Sequence, residues 1–202
     1  MVIVGVDEVG RGCWAGPLVV GAVVLRSSIN GLKDSKKLSP ARREQLSQII
    51  NDQALAIGLG WVDAAEIDRL GLTLSTRLAS IRALQQINIK FDEIIIDGNV
   101  NFLSDNPRAK AVVKADNKIP AVSAASIVAK VARDKFMSTA ALSFPGYGFE
   151  THVGYGTAHH IAALKRYGIC VLHRRSYKPI QLLLGTTSRS ITTSIRSIKQ
   201  FY

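Results

Sequence analysis

Apolar residues crowd positions 2–6 and again 18–25, both stretches rich in Val, and a polar segment carrying Gly10, Gly12 and Gly16-Pro17 separates them. That pattern predicts two strands joined as a hairpin. Ser39-Pro40 offers an N-cap and a first-turn proline for a helix running to about residue 51, and 54–62 reads as a third strand. Asp63 and Thr73 look like entry points for helices over 64–70 and 74–87, the second placing Leu74, Leu78, Ile81 and Leu84 at helical spacing as core positions. A short apolar strand at 93–97 ends at the turn pair Gly98-Asn99, and 111–114 is a further strand. Beyond Pro120 the period becomes helical through residue 142, which predicts the longest helix. A loop rich in Gly, Tyr and Phe follows at 143–156, then a helix over 157–167 and the basic run His173-Arg174-Arg175. The alternation argues for an α/β or α+β domain with one mixed sheet, occupying residues 1–185. Residues 186–202 are Ser/Thr-rich, basic and weakly periodic, and read as a loosely ordered tail.

Composition narrows the partner class. A chain of 202 residues with 47% hydrophobic content can bury one sizeable core. Its 26 Lys+Arg against 15 Asp+Glu leave a formal net charge of +11, a field that attracts polyanions. Nucleic acid heads that class, although a merely solvated basic surface gives the same count. Cys13 and Cys170 stand far apart without metal-ligand spacing, so neither a disulfide framework nor a zinc site is expected. The apolar start has no basic leader and is interrupted by Asp7-Glu8, and no apolar run approaches the roughly 20 residues that span a bilayer. The expectation is a soluble cytoplasmic protein without membrane contact.

In so basic a chain, acids that close apolar strands stand out. Asp7 ends the first strand and Asp97 ends 94–96 in the same manner. Carboxylates at the carboxyl ends of neighbouring strands point into a common crevice. Glu8 would face the opposite way along a regular strand, unless a bend at the glycine turn re-aims it. Clustered carboxylates repel by roughly 4 kcal/mol per pair at 4 Å and an effective dielectric of 20, which a divalent cation relieves. Oxygen-only ligands suit Mg²⁺ or Mn²⁺, and two such ions promote phosphodiester hydrolysis. The competing reading is that Asp7 and Asp97 are ordinary turn formers. Gly10-Arg11-Gly12 also has a rival, a dinucleotide fingerprint, opposed by the strand that follows it and by the adjacent acids.

Together these residues resemble a known family. The stretch from Asp7-Glu8-Val9-Gly10-Arg11-Gly12 through Gly16-Pro17 resembles the opening motif of the ribonuclease HII family, and Lys33-Asp34-Ser35-Lys36-Lys37-Leu38 its basic loop. Ile96-Asp97-Gly98-Asn99, Lys114-Ala115-Asp116, the run from Ser123 to Asp134, Gly154-Tyr155-Gly156-Thr157 and His173-Arg174-Arg175-Ser176-Tyr177 follow in the family's order. The resemblance spans about residues 2–177.

It implies a ribonuclease H-like α/β fold, a mixed five-stranded sheet flanked by helices with a C-terminal helical segment. It also implies four metal-binding catalytic acids at Asp7, Glu8, Asp97 and Asp116, holding two Mn²⁺ or Mg²⁺ ions. Spacing alone does not choose Asp116 over Asp134, which reads as an ion-pair former with Arg133 or Lys130. The implied activity is cleavage of the RNA strand of RNA–DNA hybrids and of duplexes containing embedded ribonucleotides. Gly10, Arg11 and Gly12 are then expected to test the ribose 2′-OH, with Tyr155 against the adjacent sugar. Lys36, Lys37, Arg174 and Arg175, with Lys114 and Lys165, are candidate phosphate contacts. In the tail, Ile198 followed by Phe201-Tyr202 is similar to a clamp-binding peptide, although Ile195 stands where such motifs carry Gln. A sliding clamp is therefore a candidate partner, and the chain is expected to be a monomer. A nuclease of the same fold directed at DNA, and a non-catalytic hybrid-binding module, are the alternatives.

Overall fold

A computed structural model describes residues 1–32, 35 and 38–186. Lys36, Lys37 and the clamp-like pattern at Ile195, Ile198, Phe201 and Tyr202 lie outside the described residues. The first two apolar stretches form β1 (Ile3–Val9) and β2 (Leu18–Leu25), paired antiparallel as expected. Helix α1 (Pro40–Gln53) starts at Ser39, whose hydroxyl accepts from the backbone of Arg42, and leads directly into β3 (Ala54–Val62). Helix α2 (Ala64–Leu84) opens with a reciprocal Asp63/Glu66 capping box and breaks at Gly71, whose φ of 74° lies outside helical space. Strands β4 (Glu93–Asp97) and β5 (Ala109–Val112) follow, then a 3₁₀ turn at Ala115–Asn117. The longest helix, α3 (Pro120–Ser143), precedes the short α4 (Phe149–His152), α5 (Ala158–Tyr167) and α6 (Lys178–Thr186).

The five strands lie in the order β3-β2-β1-β4-β5, with β1, β4 and β5 paired parallel and β2 antiparallel to both its neighbours, β1 and β3. One face packs on α2 through Val4, Val6, Val20, Ala22, Ile94 and Ile96. The other packs on α1 and α3 through Val23, Leu46, Ile50, Ala124 and Ile127. Four strand glycines let helix backbone rest on the sheet. A Cβ at Gly5 would sit 2.1 Å from Ala121 C, and one at Gly21 would sit 2.4 Å from Ala125 O. On the other face, Cβ atoms at Gly58 and Gly60 would fall within 2.0 Å of the Ala83 and Ala79 carbonyls.

Leu74 corrects one expectation, since it is 56% exposed rather than core. Helix α2 meets the sheet instead with Ser75, Thr76, Ala79, Ser80 and Ala83, because the glycine seats on β3 admit only small residues. Leu78, Ile81 and Leu84 pack at the margin of the same core.

Candidate active site

Parallel pairing of β1 with β4 runs from Ile3↔Glu93 to Val6↔Ile96, so Asp7 and Asp97 are the next residues on adjacent strands, at their carboxyl ends. This juxtaposition is the one expected from strand-ending acids. The bend that would have re-aimed Glu8 is absent. Strand β1 stays in register with β2 through Glu8↔Val20 and Val9↔Val19, so alternation holds and Asp7 and Glu8 point to opposite faces.

Asp7 turns toward α3, where the nearby Ser126 hydroxyl favours its charged form. Ser126 in turn lies 2.9 Å from the Ser35 hydroxyl. Burial pushes the Asp7 carboxyl well above the usual carboxylate range, and the charges of Glu8 and Asp97 push it further. Glu8 is raised by burial too, with Asp97 adding to it, while Arg11 at 3.3 Å holds it down. Among the described residues no cation pairs with Asp7 or Asp97.

Asp116 arrives by a different route. Lys114 adopts a left-handed conformation (φ 57°), which turns the chain from β5 into the 3₁₀ turn. Asp97 Oδ1 accepts from the backbone of Ala115 at 2.7 Å and of Asp116 at 3.3 Å, which ties that turn to the end of β4. Asp134, the rejected alternative, pairs with Lys130 at 2.7 Å on α3.

The donor set fits a hard divalent cation. All four groups are carboxylates, and two are held above their ordinary pKa by burial and by one another, a cost that a bound cation reverses. Among the described residues no three acidic, histidine or cysteine side chains stand close enough together to hold a metal ion between them.

Beside the acids, Glu8, Val9, Gly10, Arg11, Gly12, Leu72, Tyr155 and Tyr177 line an open cleft of about 570 Å³. The expected substrate-binding residues Gly10, Arg11, Gly12 and Tyr155 are thus brought together. At Gly10 (φ 89°) a side chain would strike Arg133, whereas at Gly12 the first atom met is Tyr155 Cε1 at 4.0 Å. The peptide at Gly12 is therefore open to an incoming backbone.

Two buried arginines hold this glycine loop, and sequence reasoning missed both roles. Arg133 donates to the carbonyls of Pro17 (2.8 Å), Val153 (2.9 Å) and Ala15 (3.2 Å). Arg174 donates to Gly16 O (2.8 and 3.1 Å), to Arg11 O (3.0 Å) and to the Tyr177 hydroxyl (2.8 Å). Arg174 is fully buried, so the phosphate contact expected of it is corrected: its guanidinium is committed to loop carbonyls. Arg175 is exposed, and its backbone N–H donates to Asp68 at 2.8 Å. A signal for Arg133 was present, since it lies on one helical stripe with the buried Ala129, Met137 and Ala140.

Residues 4–180 match the family model described as Ribonuclease HII. A Ribonuclease HII from Nitrosococcus oceani is 46% identical over 184 residues, covering 90% of this chain and 91% of the relative. The ribonuclease H2 of Pyrococcus horikoshii OT3 superposes with a TM-score of 0.77 at 30% identity, over 91% of this chain and 97% of that one. The ribonuclease HII of Archaeoglobus fulgidus, solved in a complex with PCNA, gives a TM-score of 0.72 at 28% identity, over 88% and 96%. Paired acids at the ends of β1 and β4, the arginine-held glycine loop and these matches lead to one conclusion: the chain belongs to the ribonuclease HII family and is a ribonuclease H-type hydrolase.

Proposed function

We propose that this chain cleaves the RNA strand of RNA–DNA hybrids and incises duplex DNA 5′ to an embedded ribonucleotide, leaving 3′-OH and 5′-phosphate ends. The observation that carries the reading is the pair Asp7 and Asp97, side by side toward the carboxyl ends of adjacent parallel strands, beside a cleft lined by Gly10, Arg11 and Gly12.

Asp7, Glu8, Asp97 and Asp116 would hold two Mg²⁺ or Mn²⁺ ions. When bound, such ions supply a nucleophile at neutral pH and charge stabilisation at the leaving oxygen. The chain's own residues do the rest. Ser126 favours the charged form of Asp7, and Arg11 opposes the burial that raises Glu8. Arg133 and Arg174 fix the loop carbonyls, which leaves the N–H groups around Gly12 in place to meet a ribose 2′-OH, the group that marks RNA locally. Tyr155, 40% exposed on the cleft wall, is placed to pack against the next sugar. Lys36, Lys37, Lys114, Lys165 and Arg175 are the phosphate contacts in this reading, within the field of a chain carrying +11.

A duplex with one ribonucleotide, incubated with Mg²⁺, Mn²⁺ or chelator, tests the proposal. Incision on the 5′ side with either ion and none with chelator is the expected result. Cleavage of an all-DNA duplex would favour the DNA-directed alternative, and metal-independent binding without cleavage the non-catalytic one. The PCNA complex of the Archaeoglobus protein supports a clamp contact through Ile198, Phe201 and Tyr202. Deleting residues 194–202 should then weaken clamp binding about tenfold or more, and an unchanged titration would remove the idea.

A further inference from the structure

Behind Tyr155 lies a cluster of buried histidines that the reaction described above does not use. His160 is fully buried and His173 is 2% exposed, with their Nε2 atoms 3.0 Å apart. The neighbouring bonds give one self-consistent placement of the protons, with the Cys170 carbonyl also 3.2 Å from His173 Nδ1. The backbone N–H of Cys170 donates to His173 Nδ1 at 2.8 Å, so His173 carries its proton on Nε2. That proton is donated to His160 Nε2, which leaves the His160 proton on Nδ1, where it is donated to the Tyr155 carbonyl at 2.9 Å. One relay of neutral rings thus runs from the Cys170 peptide to the Tyr155 peptide.

A third ring completes the cradle. His152 stacks on His160 with centroids 4.5 Å apart, accepts from Gly154 N at 3.2 Å through Nδ1, and contacts the Tyr147 carbonyl at 2.7 Å through Nε2. Its own carbonyl accepts from Tyr155 N at 2.9 Å. The Tyr155 N–H is thus held by the His152 carbonyl, and its own carbonyl by His160 together with the Thr157 N–H at 2.9 Å, while its side chain stands on the cleft wall against Gly12. Protonating either ring of the 3.0 Å pair would set N–H against N–H. Burial pulls His160 down to about 4 and His173 to about 3, with the nearby His152 and His159 acting in the same direction on His160. The relay thus stays neutral through the physiological range.

We propose that His160, locked by His173 and His152, is a positioning residue for Tyr155, setting the depth at which its ring meets the sugar beside the scissile phosphate. This rests on the reading of Tyr155 as a substrate contact. The test is a double-mutant cycle on the single-ribonucleotide duplex with Mg²⁺, reading kcat and KM separately. Tyr155→Ala and His160→Leu should each lower kcat/KM by about tenfold. In the Tyr155→Ala background, His160→Leu should change it less than about twofold. His160→Asn, which keeps an N–H near the Nδ1 position, should restore most of the loss and also guards against simple misfolding of the Leu variant. Equal losses from His160→Leu in both backgrounds, or no recovery with Asn, would overturn the positioning role and leave the Tyr155 reading intact. An active Tyr155→Ala enzyme with unchanged kcat/KM would overturn both.

Discussion

Asp7→Asn should abolish cleavage, by about 10³-fold or more, while hybrid binding stays within about threefold. Asn preserves the shape of the side chain and removes the charge that a divalent cation would use, at the point where β1 and β4 bring two acids together. Binding rests on the basic face and the glycine loop, neither of which this change touches. Stability moves the other way. Burial and the charges of Glu8 and Asp97 already oppose the ionised Asp7, so a neutral amide removes an unfavourable charge from the metal-free fold. The Tm of the variant in chelator should equal or exceed that of the parent. Single-turnover cleavage, anisotropy with labelled hybrid and a thermal melt measure the three quantities, and turnover near the parent rate would refute the assignment.

The second large effect lies far from the chemistry. Gly5→Ala should cost about 3 kcal/mol or more, because the added methyl meets backbone that cannot rotate away: Ala121 C at 2.1 Å and Val122 N at 2.2 Å. At about 2–4 °C per kcal/mol for a domain of this size, Tm should fall by roughly 10 °C. Gly12→Ala serves as the control. The first atom in its way is 4.0 Å distant, so its Tm should hold while substrate binding suffers. A Gly5→Ala protein melting with the parent would show that α3 does not rest on β1 as described.

Legibility in the sequence followed the physics of each element. Apolar stretches located all five strands, with β1 running past the expected 2–6 to Ile3–Val9 and so through Asp7 and Glu8, and β5 displaced by two residues from 111–114 to Ala109–Val112. The break between two helices expected near residue 73 falls at Gly71. Leu74 misled because large apolar residues at helical spacing ordinarily mark the buried face, whereas α2 buries its small residues against Gly58 and Gly60. Asp7 and Asp97 were visible as acids closing apolar strands. Asp116 was not, since it leaves a 3₁₀ turn after a left-handed lysine and only the family resemblance pointed to it. Arg174 was misread because a basic triplet ordinarily signals a wet surface, and nothing local reveals that loop carbonyls more than 150 positions earlier in the chain require it.

The bonds from Asp97 Oδ1 to the peptides of Ala115 and Asp116 rank the acids. Asp97 is both a ligand candidate and a latch, one oxygen holding the turn that delivers its neighbour. Removing it releases two carboxylates from the cluster, whereas removing Asp116 subtracts one and leaves the latch closed. Asn at 97 could still accept those peptide bonds, which separates the charge that Asp97 contributes from the anchorage it provides.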